Sequence, residues 1–183
     1  MDKTKIVLVG KGGSGKDYAR KLLELAGFES EISTTTRPPR VGEVGGVTYH
    51  YTTDNDMLRR VLNDEFIQAC YHKNGHTYGT CKEQFEEKNL FIMTPMGLEK
   101  LNNYHRKQCF VIYFAIPSNV RKKRLSLRQN ADNCAKRMKD DEKDFFGFVD
   151  FDLMITDPNF TIGDITNELP DSLLKQVGSI NNI

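Results

Sequence analysis

The 183-residue chain is 38% hydrophobic and 28% charged, with a formal net charge of +1 at pH 7, which suits a single globular domain with an ordinary core. A charge so near zero argues against a general nucleic-acid or membrane binder, and no apolar run reaches membrane-spanning length. Cys70, Cys81, Cys109 and Cys134 are scattered without a C-x-x-C pair, so neither a zinc site nor a disulfide framework is expected, and with no secretory h-region after Met1 the expected home is a reducing cytoplasm.

The first predicted element is the strand Ile6-Val7-Leu8-Val9, a short apolar run of the kind buried in a sheet. It leads into Gly10-Lys11-Gly12-Gly13-Ser14-Gly15-Lys16-Asp17, which fits the phosphate-loop pattern G-x-x-x-x-G-K-[ST] except at its last position. Glycines lack Cβ, so this backbone can curl with its N–H groups pointing at an anion. Lys16 would bring a point charge to the outer phosphates. Tyr18 to Ala26 reads as a helix stopped by Gly27, and its N-terminus would face the same anion. Asp17 stands where a hydroxyl normally ligates Mg²⁺. A carboxylate is also a hard oxygen ligand, and it is favourable at a helix N-terminus. Metal ligand and helix cap are both open readings for Asp17.

Phe28 to Ser33 reads as a short strand, followed by Thr34-Thr-Thr-Arg37-Pro38-Pro39-Arg40, where the prolines hold the chain extended. Gly42 to Gly46 reads as a turn and Val47 to Tyr51 as a returning strand. Asp54 to Leu62 has helical spacing, with Met57, Leu58, Val61 and Leu62 on one face. Phe66 to Tyr71 alternates as a strand does, Asn74-Gly75 marks a turn, and Thr80-x-x-Glu83 matches a capping box opening a helix to about Lys88. Leu90 to Met93 and Cys109 to Ala115 are near-continuous apolar runs, with Leu153 to Thr156 a weaker third. Strands buried on both faces of a parallel sheet have this composition. A short helix is expected near Leu98 to Tyr104 and a long basic one from about Asn119. Ser118 to Lys139 carries eight basic residues and one acid, and Asp140 to Asp144 turns acidic at once. That stretch is either a solvated helix face or a local anion site. The alternation predicts an α/β fold: a parallel sheet flanked by helices, with residues 33 to 88 a polar β-rich insertion.

The stretch Ser33-Thr-Thr-Thr-Arg37-Pro-Pro-Arg40-Val-Gly-Glu43-Val-Gly-Gly46-Val-Thr-Tyr49-His-Tyr51 resembles the signature of guanylate kinases, a family of P-loop nucleoside monophosphate kinases. Glu65-Phe-Ile67 and Tyr78-Gly79-Thr80 fall where that family has its base-binding segment, and Arg124, Arg128 and Arg137 where it has lid arginines. The resemblance runs from Lys5 to about Asp157. It implies a core over 1–32, 89–120 and 145–183, a nucleoside-monophosphate-binding part over 33–88 and a lid over 121–144. The Gly-Lys-Asp ending of the loop is similar to that of some phage-type nucleotide kinases.

The implied reaction transfers the γ-phosphoryl group of ATP to GMP or dGMP with Mg²⁺. Gly10, Gly12, Gly13, Ser14, Gly15, Lys16 and Asp17 would hold ATP, with Asp17 the candidate metal ligand. Arg37, Arg40, Tyr49, Tyr78 and, by family position, Ser33 would hold the acceptor phosphate. Gln68, Thr80 and Thr94 would meet the base. Lys16, Arg37, Arg124, Arg128 and Arg137 would stabilise the transferring charge. The residue chemistry agrees, because phosphoryl transfer needs clustered positive charge and in-line placement, and arginine grips phosphate bidentately. For each tyrosine alone, core packing is the competing explanation. The sequence departs from the family at Ile92-Met93-Thr94-Pro95-Met96-Gly97, which lacks the usual two aspartates, at Gln68, usually glutamate, and at Asp157, usually asparagine. A glutamine satisfies only one of guanine's two edge donors, so relaxed base selectivity is open beside ordinary guanine recognition. A non-catalytic guanylate-kinase-like binding module and a P-loop kinase for a non-nucleotide acceptor are the other readings. Monomer and homodimer are equally compatible with the sequence.

Overall fold

The computed structural model describes residues 2–127 and 134–178, and Arg137 by its backbone alone. In chain order the first half comprises β1 (Lys5–Gly10), α1 (Lys16–Leu25), β2 (Thr34–Thr35), β3 (His50–Tyr51), α2 (Asp54–Leu62), β4 (Phe66–Tyr71), β5 (Thr77–Cys81) and α3 (Lys82–Glu87). The second half comprises β6 (Leu90–Ile92), α4 (Pro95–Glu99), α5 (Asn103–Lys107), β7 (Cys109–Phe114), α6 (Ser118–Ser126), α7 (Cys134–Asp144), β8 (Leu153–Ile155), α8 (Gly163–Thr166) and α9 (Asp171–Leu174).

All six residues of β1 are buried. Ile6 and Leu8 join one apolar cluster, with Leu23, Phe28, Ile112, Phe114, Ile165 and Leu173. Val7 and Val9 join a second, with Phe85, Phe91, Leu98, Val111 and Phe145. The two-residue period of a strand sends alternate side chains to opposite faces, so β1 needs cover on both. It has it: β1 lies inside a parallel sheet of order β6-β1-β7-β8, with α1 against one face and α3 and α4 against the other through these clusters. The fold is the expected P-loop α/β fold, and ligands of such sheets bind beyond the carboxyl ends of the strands. A second, smaller sheet has the order β3-β2-β5-β4.

Local expectations fared unevenly. Gly27 ends α1 with φ +100°, the left-handed stop that glycine supplies. Residues 28–33 do not form a strand. They contribute one isolated bridge, Ser30 to Leu90, and regular pairing starts only at Thr34. The Thr80-x-x-Glu83 pattern does not cap a helix, because Thr80 lies inside β5 opposite Gln68 and α3 begins after Cys81. Cross-strand pairing there displaces the local capping motif. Of the four apolar residues expected on one face of α2, only Met57 is buried, and Leu62 is 76% exposed. The helix rests on β4 by a narrow seam, with the Arg60 guanidinium 4.9 Å from the Phe66 ring centroid. The single helix expected over 98–104 is two short ones, each with its own side-chain cap: Thr94 Oγ1 accepts from Gly97 N at 3.2 Å and Asn102 Oδ1 from His105 N at 2.9 Å.

Candidate active site

The loop between β1 and α1 is shaped by glycine. Gly13 and Gly15 have φ of +77° and +98°, a region that side chains with a Cβ rarely adopt. A Cβ on Gly10 would lie 2.7 Å from Ser14 Oγ. Ser14 is fully buried and its hydroxyl has no partner among the described residues. The Lys16 ammonium turns back over the loop and donates to the Gly10 and Lys11 carbonyls. Asp17 is exposed in the first turn of α1. The curled backbone, the helix N-terminus and the lysine together form a preorganised anion cradle.

The basic stretch resolves into two kinds of residue. Lys122 and Lys123 are exposed, as a solvated face would be. Arg121 and Arg124 turn inward onto the loop. Arg124 Nη1 donates to Gly13 O at 3.3 Å and its Nη2 to Pro158 O at 2.8 Å. Arg121 is 2% exposed and donates to Ile116 O at 3.1 Å and Glu142 Oε1 at 2.9 Å. Helix α7 then reaches the cradle with its acids. Gly12 N donates to Asp141 Oδ2 at 2.7 Å, and Glu142 also pairs with Lys11. A carboxylate of the chain therefore already binds one of the N–H groups that a phosphate would use. Burial would raise the Glu142 pKa, but hydrogen bonding from Lys11, the largest influence, lowers it. Arg128 lies outside the described residues, as does the side chain of Arg137.

Of the residues expected to hold the acceptor, Ser33, Tyr49, Gln68, Tyr78 and Thr80 share one face of the small sheet. Gln68 lies opposite Thr80, and Thr34 lies opposite Gly79 and His50. Continued by one residue, this register sets Ser33 beside Thr80 and Tyr49, with Tyr78 two residues from Thr80 on the same side. The contacts agree. Gln68 Nε2 donates to Thr80 Oγ1 at 3.0 Å, the Tyr49 and Tyr78 rings lie 6.0 Å apart, and the Arg37 guanidinium lies 5.3 Å from the Tyr49 ring centroid. Arg37 is 6% exposed, and its Nη2 donates to both oxygens of Glu43 at 2.9 Å. Glu43 also accepts from Tyr51 Oη at 2.9 Å and from Arg40 N at 2.8 Å. Burial, the largest influence, opposes the Arg37 charge, but Glu43 and Tyr78 together outweigh it and the Arg37 pKa is raised. The Arg40 side chain is exposed, and its residue joins this network through the main chain. Burial raises the Tyr49 pKa, with smaller influences from Tyr78, Arg37 and then Asp17 of α1. The phosphate loop and the acceptor face are thus near enough to act on each other electrically.

At the far end of this face, Gln68 and Thr94 converge on Gly97. A Cβ built there would lie 3.3 Å from Gln68 Oε1 and 3.5 Å from Thr94 Oγ1.

A family profile described as guanylate kinase matches residues 2–176. The chain belongs to the guanylate kinase family. A guanylate kinase of Chlorobium luteolum is 30% identical over 164 residues, covering 82% of this chain and 81% of that protein. One from Helicobacter pylori is 28% identical over 160 residues, covering 82% and 77%. A match of 39% to a guanylate kinase of Fusobacterium nucleatum spans 83 residues, about 44% of that protein. The crystal structure of guanylate kinase from Anaplasma phagocytophilum superposes with a TM-score of 0.63 over 91% of this chain and 85% of that one, at 24% identity, a likeness of fold. Identity this low across most of the length makes the chain a divergent family member. The family match favours a nucleoside monophosphate kinase over an inert binding module.

Sequence reasoning missed four residues of this site. Arg121 was one of many basic residues in a run, and nothing in the run says which are buried. Glu43 sits in the signature, yet its bond to Arg37 depends on the turn at Gly42 and Gly46, with φ of +84° and +75°. Asp141 and Glu142 read only as part of the acidic block that follows the basic stretch.

Proposed function

We propose that the chain transfers the γ-phosphoryl group of ATP to GMP or dGMP. The observation that carries this is the juxtaposition of two anion sites, a glycine-built cradle at the end of β1 and an arginine-tyrosine face on the small sheet. In this reading residues 33–88 bind the acceptor, residues 121–144 form the lid and the remainder is the core.

Lys16 and the loop N–H groups bind the donor's outer phosphates. Arg124 is fixed across Gly13 O and Pro158 O, so it waits beside the loop where charge develops in transfer. Arg37 is held flat by Glu43 and Tyr49, which presents its remaining donors to the acceptor phosphate with Tyr49 and Tyr78. Arg40, at the exposed rim, reaches that phosphate only when the parts close. Closure of a lid and an acceptor part excludes water, the competing acceptor. The acceptor phosphate is ionised near neutral pH and needs no general base, so catalysis is positioning plus electrostatics.

Mg²⁺ fits the donor set. Asp17 offers a hard oxygen at the mouth of the cradle, and nucleotide phosphates and water complete the shell such an ion takes. No group of three or more His, Cys, Asp or Glu side chains placed to hold a metal ion occurs among the described residues, and this reading has the nucleotide phosphates share the ion. Bound there, the ion would neutralise charge on the donor phosphates.

Gln68, Thr80 and Thr94 supply hydroxyls and an amide to the base but no carboxylate, so on these three residues alone guanine would be only weakly preferred. The test is ADP release in a coupled assay with ATP and Mg²⁺ across the common ribo- and deoxyribonucleoside monophosphates. Turnover with GMP and dGMP is expected. Turnover with none of them returns the chain to the binding-module reading.

A further inference from the structure

Glu31 is the one acidic side chain buried among the described residues, at 9% exposure. It belongs to none of the motifs in the sequence. The peptide around it is pinned to the core, with Glu31 N donating to Leu90 O at 2.8 Å. Its carboxyl group lies beside the hydroxyls of Thr80 and Ser33, both on the acceptor face. Thr80 is 0% exposed and already accepts from Gln68 Nε2, so its own proton is available to Glu31. Gln68, in turn, adjoins Thr94 across Gly97. A connected polar patch therefore runs from Thr94 through Gln68 and Thr80 to Glu31 and Ser33.

This patch is incomplete. Among the described residues Glu31 Oε1 has no hydrogen-bond partner, and the carboxyl group has hydroxyl neighbours rather than a cation. Burying a carboxylate without a cation or a full set of donors is costly, and an unsatisfied buried group asks for an explanation. Burial pushes the Glu31 pKa up to about 7, with the Thr80 and Ser33 hydroxyls pulling in the opposite direction. Perturbed buried carboxyls of this kind gather at ligand sites. The chemistry of guanine supplies what is missing. Its N1–H and exocyclic amine form two adjacent donors, which one carboxylate accepts together. Guanine's two donors favour the ionised form of Glu31, whereas adenine presents an acceptor at N1, which the ionised carboxylate repels.

We propose that Glu31 is the carboxylate that reads the acceptor base, selecting guanine over adenine from the floor of the site in place of an acid at Gln68 or Thr94. This rests on the proposed nucleoside monophosphate kinase reading. Of the two open readings it favours ordinary guanine recognition over relaxed selectivity, with the carboxylate contributed by the residue two positions before Ser33.

The test is calorimetric binding of GMP and AMP to the wild type, Glu31→Gln and Glu31→Ser, with the Tm of each protein measured alongside. Glutamine keeps the size and removes the charge, and serine removes both charge and bulk, so the two variants separate loss of charge from loss of packing and the Tm shows which of them is folded. The wild type should bind GMP about a hundredfold or more tighter than AMP, and each folded variant should cut that ratio by about tenfold or more. AMP binding should hold or improve in Glu31→Gln, whose amide can donate to adenine N1. A purely structural role would weaken both nucleotides alike and leave the ratio within about threefold of wild type, which overturns the assignment of Glu31. A wild type that binds neither nucleotide overturns the kinase reading and this inference with it, a result distinct from binding with an unchanged ratio.

Discussion

The two proposed nucleotide sites are built by opposite means. The phosphate loop works with main chain: its donors are N–H groups set by glycines at positive φ, and its lysine is gathered in by carbonyls. The proposed acceptor face works with side chains from β4 and β5 and from the segments flanking β2 and β3, each needing a neighbour to aim it, as Glu43 aims Arg37 and Thr80 steadies Gln68. A backbone site tolerates almost any side chain that does not add a Cβ in the wrong place. A side-chain site can trade one residue for another provided the chemistry reappears nearby. The loop accordingly keeps its glycines and changes only at Asp17, whereas the acceptor face lacks its expected acids and has Glu31 beneath it.

The sharpest way to break this contrast is to remove the lysine that the loop gathers in. Lys16→Ala should lower kcat by on the order of 10³-fold, the loss expected for a key charge on a transferring phosphoryl group. Its Tm should hardly move, because Lys16 adds little to the core. Retention of a third of wild-type turnover would take the loop out of the mechanism. Next in size, Arg37→Ala should cut kcat/KM for GMP by roughly tenfold to a hundredfold, the cost of losing a charge-assisted bond of about 1.5–3 kcal/mol. The KM for ATP should stay put, and Arg37→Lys should rescue incompletely because the planar fork is lost. An effect confined to ATP would mean that donor and acceptor sites are assigned the wrong way round.

Glu31 sharpens the comparison through stability. Burial raises its pKa in the folded protein to about 7 from 4.5, so between those values the folded state holds a proton that the unfolded state releases. The stability tied to that proton is complete below about pH 4.5 and is lost as the pH rises through 7, by about 3 kcal/mol. Glu31→Gln should therefore unfold several degrees higher than wild type at pH 8.5 and at nearly the same temperature at pH 5. Equal Tm differences at both pH values would mean that Glu31 is not held as a raised carboxyl. The smallest effect is expected at the lid. Asp141→Asn weakens the chain's own occupant of Gly12 N, and a partly exposed charged contact of this sort is worth at most about 1 kcal/mol. The KM for ATP should fall by up to about fivefold with the KM for GMP unchanged.

The loop was legible in the sequence because glycine spacing, a preceding apolar strand and a following helix are local patterns, and local patterns fix a backbone site. Gln68, Thr80, Tyr49 and Tyr78 were legible only through the family signature. Once placed, they proved to share a face because β-pairing puts Gln68, Thr80 and Ser33 abreast. Glu31 carried no pattern: a lone glutamate between Ser30 and Ile32 looks like surface until the bridge from Ser30 to Leu90 turns it under the small sheet. The same holds for Arg121, whose burial depends on a loop over a hundred residues earlier in the chain. Thr80 shows the converse, a local capping motif overruled by a strand partner distant in sequence.

The central claim is that the two sites pass one phosphoryl group directly between them. The most direct test incubates the protein with ATP labelled in the γ-phosphate, Mg²⁺ and GMP, and separates the products. The account predicts label in GDP, in step with the ADP formed and dependent on GMP. Label released as inorganic phosphate, with none in GDP, would contradict it.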